Sequence, residues 1–246
     1  IKTLNLPEVI ERLTYLPRGL VLVTGDTGSG KSTTLAAMIQ AMNERYQKHI
    51  ITLEDPIEYA LESHQCLIEQ REHGQDTPSF ASALKHALRQ DPDIILVGEM
   101  RDLETTALAM TAAETGHLVL STLHTVNAAQ TVERIIDMYP AGQQNQIRAM
   151  LADTLQAVIS QTLFRRIDRK GMVPAIEILL CTPAVRNLVR EGRTFEIPNV
   201  IETNRAMGMQ SLDSAIGSLF FNGMISREDA LAQAVYPEKL EQQLAA

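Results

Sequence analysis

The residues with the most specific chemical spacing stand at 25 to 32, Gly-Asp-Thr-Gly-Ser-Gly-Lys-Ser. Gly25, Gly30, Lys31 and Ser32 satisfy G-x-x-x-x-G-K-[ST], a loop whose glycines let the backbone curl until its N–H groups converge on phosphate oxygens. A helix that starts here adds the positive end of its dipole. Gly25, Thr27, Gly28, Ser29, Gly30, Lys31, Ser32 and Thr33 are therefore the predicted nucleotide-binding residues. Lys31 would reach the β- and γ-phosphates, and the Ser32 hydroxyl would face Mg²⁺. Such a pattern arises by chance in about 1% of chains this long, and fewer again place it between an apolar strand and an amphipathic helix.

Two further runs end in acids. Ile94-Ile-Leu-Val-Gly-Glu99 has the form of a buried strand that delivers a carboxylate beside a metal. Ile50-Ile-Thr-Leu-Glu54-Asp55-Pro56-Ile-Glu58 does the same at the end of another strand, where open α/β sheets place their ligand crevice. We read Glu54 as the general base that polarises water and Glu99 as the Mg²⁺-facing acid; the reverse assignment is open at this level. His124 follows the run Leu118 to Ser121 at the same predicted edge and fits a γ-phosphate sensor, whereas His117 at the strand's start reads as structural. The remaining histidines have no metal-ligand spacing. Arg71, Arg89, Arg101 and Arg134 occupy loop or helix-end positions from which a guanidinium could reach transferred phosphate in trans, in the site of a neighbouring subunit, although a surface ion pair is the ordinary fate of each.

These groups need a scaffold. Short apolar runs alternate with helical periods, the pattern of a mostly parallel sheet covered on both faces. Strands are predicted at Leu20 to Thr24, Ile50 to Leu53, Cys66 to Glu69, Ile94 to Val97 and Leu118 to Ser121. Helices are predicted at Lys31 to Tyr46, at Ser79 to Gln90, and from an Asp102 cap through Ala113. Beyond Thr122 the pattern turns helical, over Asn127 to Met138 and Gln143 to Leu163, with one more strand at Val173 to Leu180. Ser211 to Asn222 closes at Gly223, and Ser226-Arg-Glu-Asp229 opens a last helix.

The chain has 246 residues, of which 45% are hydrophobic, so it can bury a sizeable core. A formal charge of -8 disfavours a general nucleic-acid binder. No run of 18 apolar residues and no leader-like start is present, which predicts a cytoplasmic protein without direct membrane insertion. Cys66 and Cys181 stand apart and read as buried thiols, not as a zinc or disulfide framework. The absence of a guanine-reading Asn-Lys-x-Asp segment favours ATP over GTP.

Taken together, Gly25 to Ser32, Thr52 to Glu58, Ile95-Leu-Val-Gly-Glu-Met-Arg-Asp102 and Thr115-Gly-His-Leu-Val-Leu-Ser-Thr-Leu-His124 resemble the Walker A, Asp box, Walker B and His box of the secretion ATPases of type II and type IV pilus systems. Pro183-Ala-Val-Arg-Asn-Leu-Val-Arg-Glu191 is similar to the C-terminal signature of the members that retract pili. The resemblance implies a RecA-like P-loop core at 19–182 and a C-terminal helical region at 183–246. Residues 1–18 would be the linker left from an N-terminal PAS-like domain. It further implies an ATP- and Mg²⁺-dependent homohexameric motor, peripheral at the inner membrane, engaging a platform protein and a paralogous retraction ATPase. Arg186, Asn187 and Arg190 would belong to a segment that couples motion to the pilus. Asp26 stands where the family often has Pro or Ala, and adds negative charge beside the loop. A secretion or conjugation ATPase, and a nucleotide-responsive regulatory module with little turnover, are the alternative readings.

Overall fold

The structure is a computed structural model that describes residues 1–244, with all of their side chains except that of Lys2. In chain order its elements are α1 (Glu8–Leu13), β1 (Gly19–Thr24), α2 (Lys31–Asn43), β2 (His49–Glu54), β3 (Leu67–Glu72), α3 (Phe80–Ala87), β4 (Ile94–Val97) and α4 (Leu103–Glu114). They continue with β5 (Leu118–Leu123), α5 (Ala128–Asp137), α6 (Ala141–Thr154), β6 (Leu155–Arg165), β7 (Met172–Leu180) and α7 (Pro183–Glu191). The chain ends in α8 (Ile197–Thr203), α9 (Leu212–Phe221), α10 (Arg227–Ala232) and α11 (Pro237–Leu244).

The seven strands form one sheet in the order β3-β2-β4-β5-β1-β6-β7. All neighbours pair in parallel except β6 and β7, which form an antiparallel ladder from Ala157↔Leu180 to Arg165↔Met172. This is the α/β, mostly parallel arrangement expected from the alternation of apolar runs and helices.

Successive strand residues point to opposite faces, and the core divides accordingly. Leu20, Leu22, Ile51, Leu53, Ile95, Val97 and Val119 pack on one face with α3 through α8. Val21, Val23, Ile50, Ile94, Leu96, Leu118 and Leu120 pack on the other with α1 and α2. Because both faces are covered, β1, β4 and β5 are buried along their whole lengths. A third cluster sets Phe164, Val173 and Ala175 of the β6–β7 ladder under Leu212, Ala215, Ile216 and Leu240.

One expectation fails. Residues 143 to 163 are not one mainly helical segment: α6 ends at Thr154 and β6 begins at Leu155. Neither glycine nor proline lies between Gly142 and Gly171 to mark the change, and a short apolar run such as Ala157-Val-Ile159 fits either period. Pairing with β1 on one side and β7 on the other decides it.

The caps follow the expected chemistry. Asp102 accepts the Thr105 N–H, Ser211 that of Ser214, and Ser226 that of Asp229. Cys66 is buried; Cys181 is half-buried as a residue, and burial of its thiol pushes the pKa up to about 12.

Candidate nucleotide site

The parallel core brings the carboxyl ends of β2, β4, β5 and β1 into a row. Since β5 lies between β1 and β4, the loop after β1 and the acid after β4 face each other across the end of one strand. Between them opens a cleft of about 480 Å³ lined by Thr27, Gly28, Gly30, Lys31, Ser32, Thr33, Glu54, Asp55, Glu58, Tyr59, Glu99, Arg101, Thr122 and His124, among others.

The glycine loop has the conformation its sequence predicts. Gly25, Gly28 and Gly30 all have positive φ, at 138°, 79° and 88°, which side chains rarely tolerate. A Cβ on Gly25 would fall 2.3 Å from the Gln161 carbonyl oxygen. Gly30 is the left-handed N-cap of α2, and Lys31 is its first residue. The Lys31 amino group donates to the carbonyls of Gly25 at 2.8 Å and Asp26 at 2.9 Å. Burial lowers its pKa, an effect opposed by the negative charges of Glu99, Asp26 and Glu58. The Ser29 hydroxyl is buried with no protein partner.

The segment after β2 folds over this loop. Ser32 donates to Glu58 at 3.0 Å, and the Thr33 and Tyr59 hydroxyls bond at 2.8 Å. Oε1 of Glu54 accepts from Thr52 Oγ1 at 2.6 Å and Gln70 Nε2 at 3.0 Å, so the carboxylate is held by its own strand and by β3. Beyond β4, Glu99 pairs with Arg101 at 2.6 Å and lies 3.2 Å from His124 Nε2. Thr122 donates to the Gly98 carbonyl at 2.6 Å, and the Gly98 N–H to Leu53 at 2.7 Å. These two bonds tie the ends of β5, β4 and β2 together.

The structure thus gathers all eight loop residues, Glu54, Glu99 and His124 at one edge. Of the four arginines only Arg101 lines the cleft. Arg71 is held on β3 by Glu69 at 2.9 Å and by Gln90. Arg89 and Arg134 are exposed away from the cleft lining. His117 is satisfied by the Ala112 carbonyl, as a structural histidine would be.

Arg186 and Arg190 do not simply face solvent. Arg186 caps the end of α6, donating to the carbonyls of Ala152 and Asp153 and to Gln156, while Arg190 pairs with Asp153. Asn187 is exposed and bonds to Glu191 at 3.0 Å. The site also takes in Glu58, Tyr59 and Gln161, to which no motif assigns a role. Glu58 stood in the acid run as a signal, whereas Tyr59 and Gln161 sit in no recognised motif.

The donors fit a hard divalent cation shared with a polyphosphate. No group of three or more His, Cys, Asp or Glu among the described residues could hold a metal ion alone. Ser32, Glu58 and Glu99 instead offer the sparse oxygen set with which Mg²⁺ is held when phosphate and water complete its shell. No helix among the described residues is long and apolar enough to cross a membrane.

Comparison with known proteins agrees with this geometry. Residues 4–211 match the family described as Type II/IV secretion system protein. The chain is 54% identical over 97% of its length to the type IV pilus retraction ATPase PilT of Pseudomonas aeruginosa, spanning 69% of that protein. It is 53% identical over 98% of its length to a twitching motility protein of Neisseria gonorrhoeae, spanning 64% of it. A crystal structure of the pilus retraction motor PilT with bound ADP superposes with a TM-score of 0.92 at 46% identity, over 98% of this chain and 68% of that one. The chain belongs to the Type II/IV secretion system protein family and, within it, to the pilus retraction ATPases.

Proposed function

We propose that this chain binds Mg-ATP in the cleft between the glycine loop and the strand ends, hydrolyses it, and uses the energy to retract type IV pili. The observation that carries the reading is the convergence of Lys31, Ser32, Glu54, Glu99 and His124 in that one cleft.

In this reading Lys31 exchanges the Gly25 and Asp26 carbonyls for phosphate oxygens, which are stronger acceptors because they are charged. Ser32 and Glu99 hold Mg²⁺, which supplies charge neutralisation to the phosphates when bound. Ser32 leaves Glu58 to do so. Glu54 takes the proton of the attacking water; both of its protein hydrogen bonds fall on Oε1, which leaves Oε2 to the water. His124 senses the γ-phosphate through its place beside Glu99. Arg101 is the arginine placed to stabilise phosphoryl charge from within the chain.

The mechanical reading rests on the relatives named for pilus retraction and twitching motility. The motor works as a homohexamer at the cytoplasmic face of the inner membrane, on a platform protein and alongside a paralogous ATPase. The core is 19–182 and the helical region is 183–246, with 1–18 as a linker to a preceding domain. Within that region, exposed Asn187 together with Arg186 and Arg190 couples motion to the pilus.

Steady-state ATP hydrolysis tests the chemistry. Lys31→Ala should abolish turnover by removing the phosphate cation. Glu54→Gln should lower kcat by about a hundredfold or more at unchanged Mg²⁺ dependence, and Glu99→Gln should raise the Mg²⁺ needed for half-maximal rate. Turnover that survives both Lys31→Ala and Glu54→Gln would refute the assignment.

A further inference from the structure

Gln161 lies outside every motif, yet it touches the glycine loop at several points from the neighbouring strand. The residue is only 3% exposed. Its Nε2 donates to the Ser29 carbonyl at 2.6 Å, and its Oε1 accepts from the Thr34 hydroxyl, in the first turn of α2, at 2.9 Å. Its backbone carbonyl backs Gly25, and Nε2 stands 3.0 Å from where a Cβ on Gly30 would be. The orientation of the amide follows from chemistry: a backbone carbonyl only accepts, so the NH₂ end must face Ser29, and the oxygen is left to the Thr34 hydroxyl.

The consequence lies in the peptide between Ser29 and Gly30. Asp55–Pro56 is the one cis bond among the described residues, so this peptide is trans, and its N–H points opposite to its C=O. Glycine at 30 accepts either sign of φ, so nothing in the loop's own sterics keeps this peptide plane from turning over. We propose that Gln161 is a positioning residue for the nucleotide site. By drawing the Ser29 carbonyl toward β6, it aims the Gly30 N–H away from β6 and at the phosphates. Thr34 fixes which end of the amide does the pulling. The inference rests on the nucleotide reading above, and it explains why an amide is buried beside the Ser29–Gly30 peptide.

The test compares Gln161→Met, which keeps length but loses both polar ends, with Thr34→Val and Lys31→Ala in the 246-residue chain. Three quantities are read: the dissociation constant for a fluorescent Mg-ADP, kcat and KM for Mg-ATP, and the ¹⁵N–¹H resonance of Gly30 with and without ADP. Gln161→Met should weaken Mg-ADP binding and raise KM by about tenfold or more, the scale of a misaligned hydrogen bond to a charged group. Its kcat should change by less than about threefold, its nucleotide-free unfolding temperature should stay near the parent's, and its Gly30 amide should lose the ADP-induced downfield shift. Thr34→Val should weaken Mg-ADP binding and raise KM by about threefold. A folded Gln161→Met that binds Mg-ADP like the parent overturns the proposal. Should that variant not fold, unchanged affinity in Thr34→Val overturns it instead. Loss of binding in Lys31→Ala alone would sink only the role of Gln161, whereas parental binding in Lys31→Ala would sink the nucleotide reading itself.

Discussion

A single acid changes the electrostatics of the loop. Asp26 is exposed next to Gly25, and its charge acts on Lys31 together with Glu99 and Glu58. Toward Lys31 this is favourable, but toward an incoming polyphosphate it is repulsive. Since the side chain is in water, the effect is small and screened by salt. Asp26→Ala should tighten Mg-ADP binding about two- to fivefold at low ionic strength, and the gain should vanish in about 1 M salt. Titration of a fluorescent nucleotide at both salt concentrations decides this. Equal affinity of variant and parent at low salt would show that the acid does not oppose the phosphates.

At the scale of elements, α7 is fastened both to the core and to the end of α6. Val185, Leu188 and Val189 are buried in the core, and Arg186 satisfies the last carbonyls of α6, which a helix end leaves without internal partners. This separates the residues of the 182 to 191 segment by role. Arg186→Ala should destabilise the fold by about 1–3 kcal/mol in urea unfolding, because the Ala152 carbonyl is buried with its residue. Unaltered stability would mean that the cap contributes nothing. Asn187, exposed, should tolerate Ala without loss of stability or ATPase activity. If the segment couples hydrolysis to the pilus, Asn187→Ala should still reduce retraction, read by twitching motility of cells carrying it in the full-length protein.

Across the whole molecule, Glu177 links the core to the C-terminal helices. It stands on β7 at 8% exposure, accepts the Ala128 N–H at the start of α5 at 2.8 Å, and is bonded by the Leu212 N–H at the start of α9. Burial raises its pKa against the lowering effect of those two donors, with Asp213 pushing it up further. With its pKa raised above the ordinary value of 4.5, this carboxyl is more fully protonated in the folded state than in the unfolded chain as pH rises past that value. Above that pH the unfolded chain binds fewer protons than the folded one, so this group's contribution falls as pH rises through the folded pKa. The slope is at most about 1.4 kcal/mol per pH unit. Glu177→Gln, which keeps an acceptor for Ala128, should remove that slope in urea unfolding measured from pH 5 to 8. A parent and variant whose stabilities run parallel over this range would contradict the assignment.

How much could be foreseen differs along the chain. The loop, its strand and helix, the positions of Glu54 and Glu99 at strand ends, and the caps at Asp102 and Ser226 were all legible, since each is a local rule: a glycine where φ is positive, an oxygen where a helix begins, an apolar run where a strand is buried on both faces. The strand β6 was not. Its residues suit a helix equally well until β1 and β7 present unpaired backbone on either side, a condition that exists only once distant segments meet. Gln161 was hidden for the same reason, because its register opposite the loop depends on that pairing. Local chemistry thus determined which groups can handle a phosphate; the long-range pairing of the sheet decided how the loop that carries them is held.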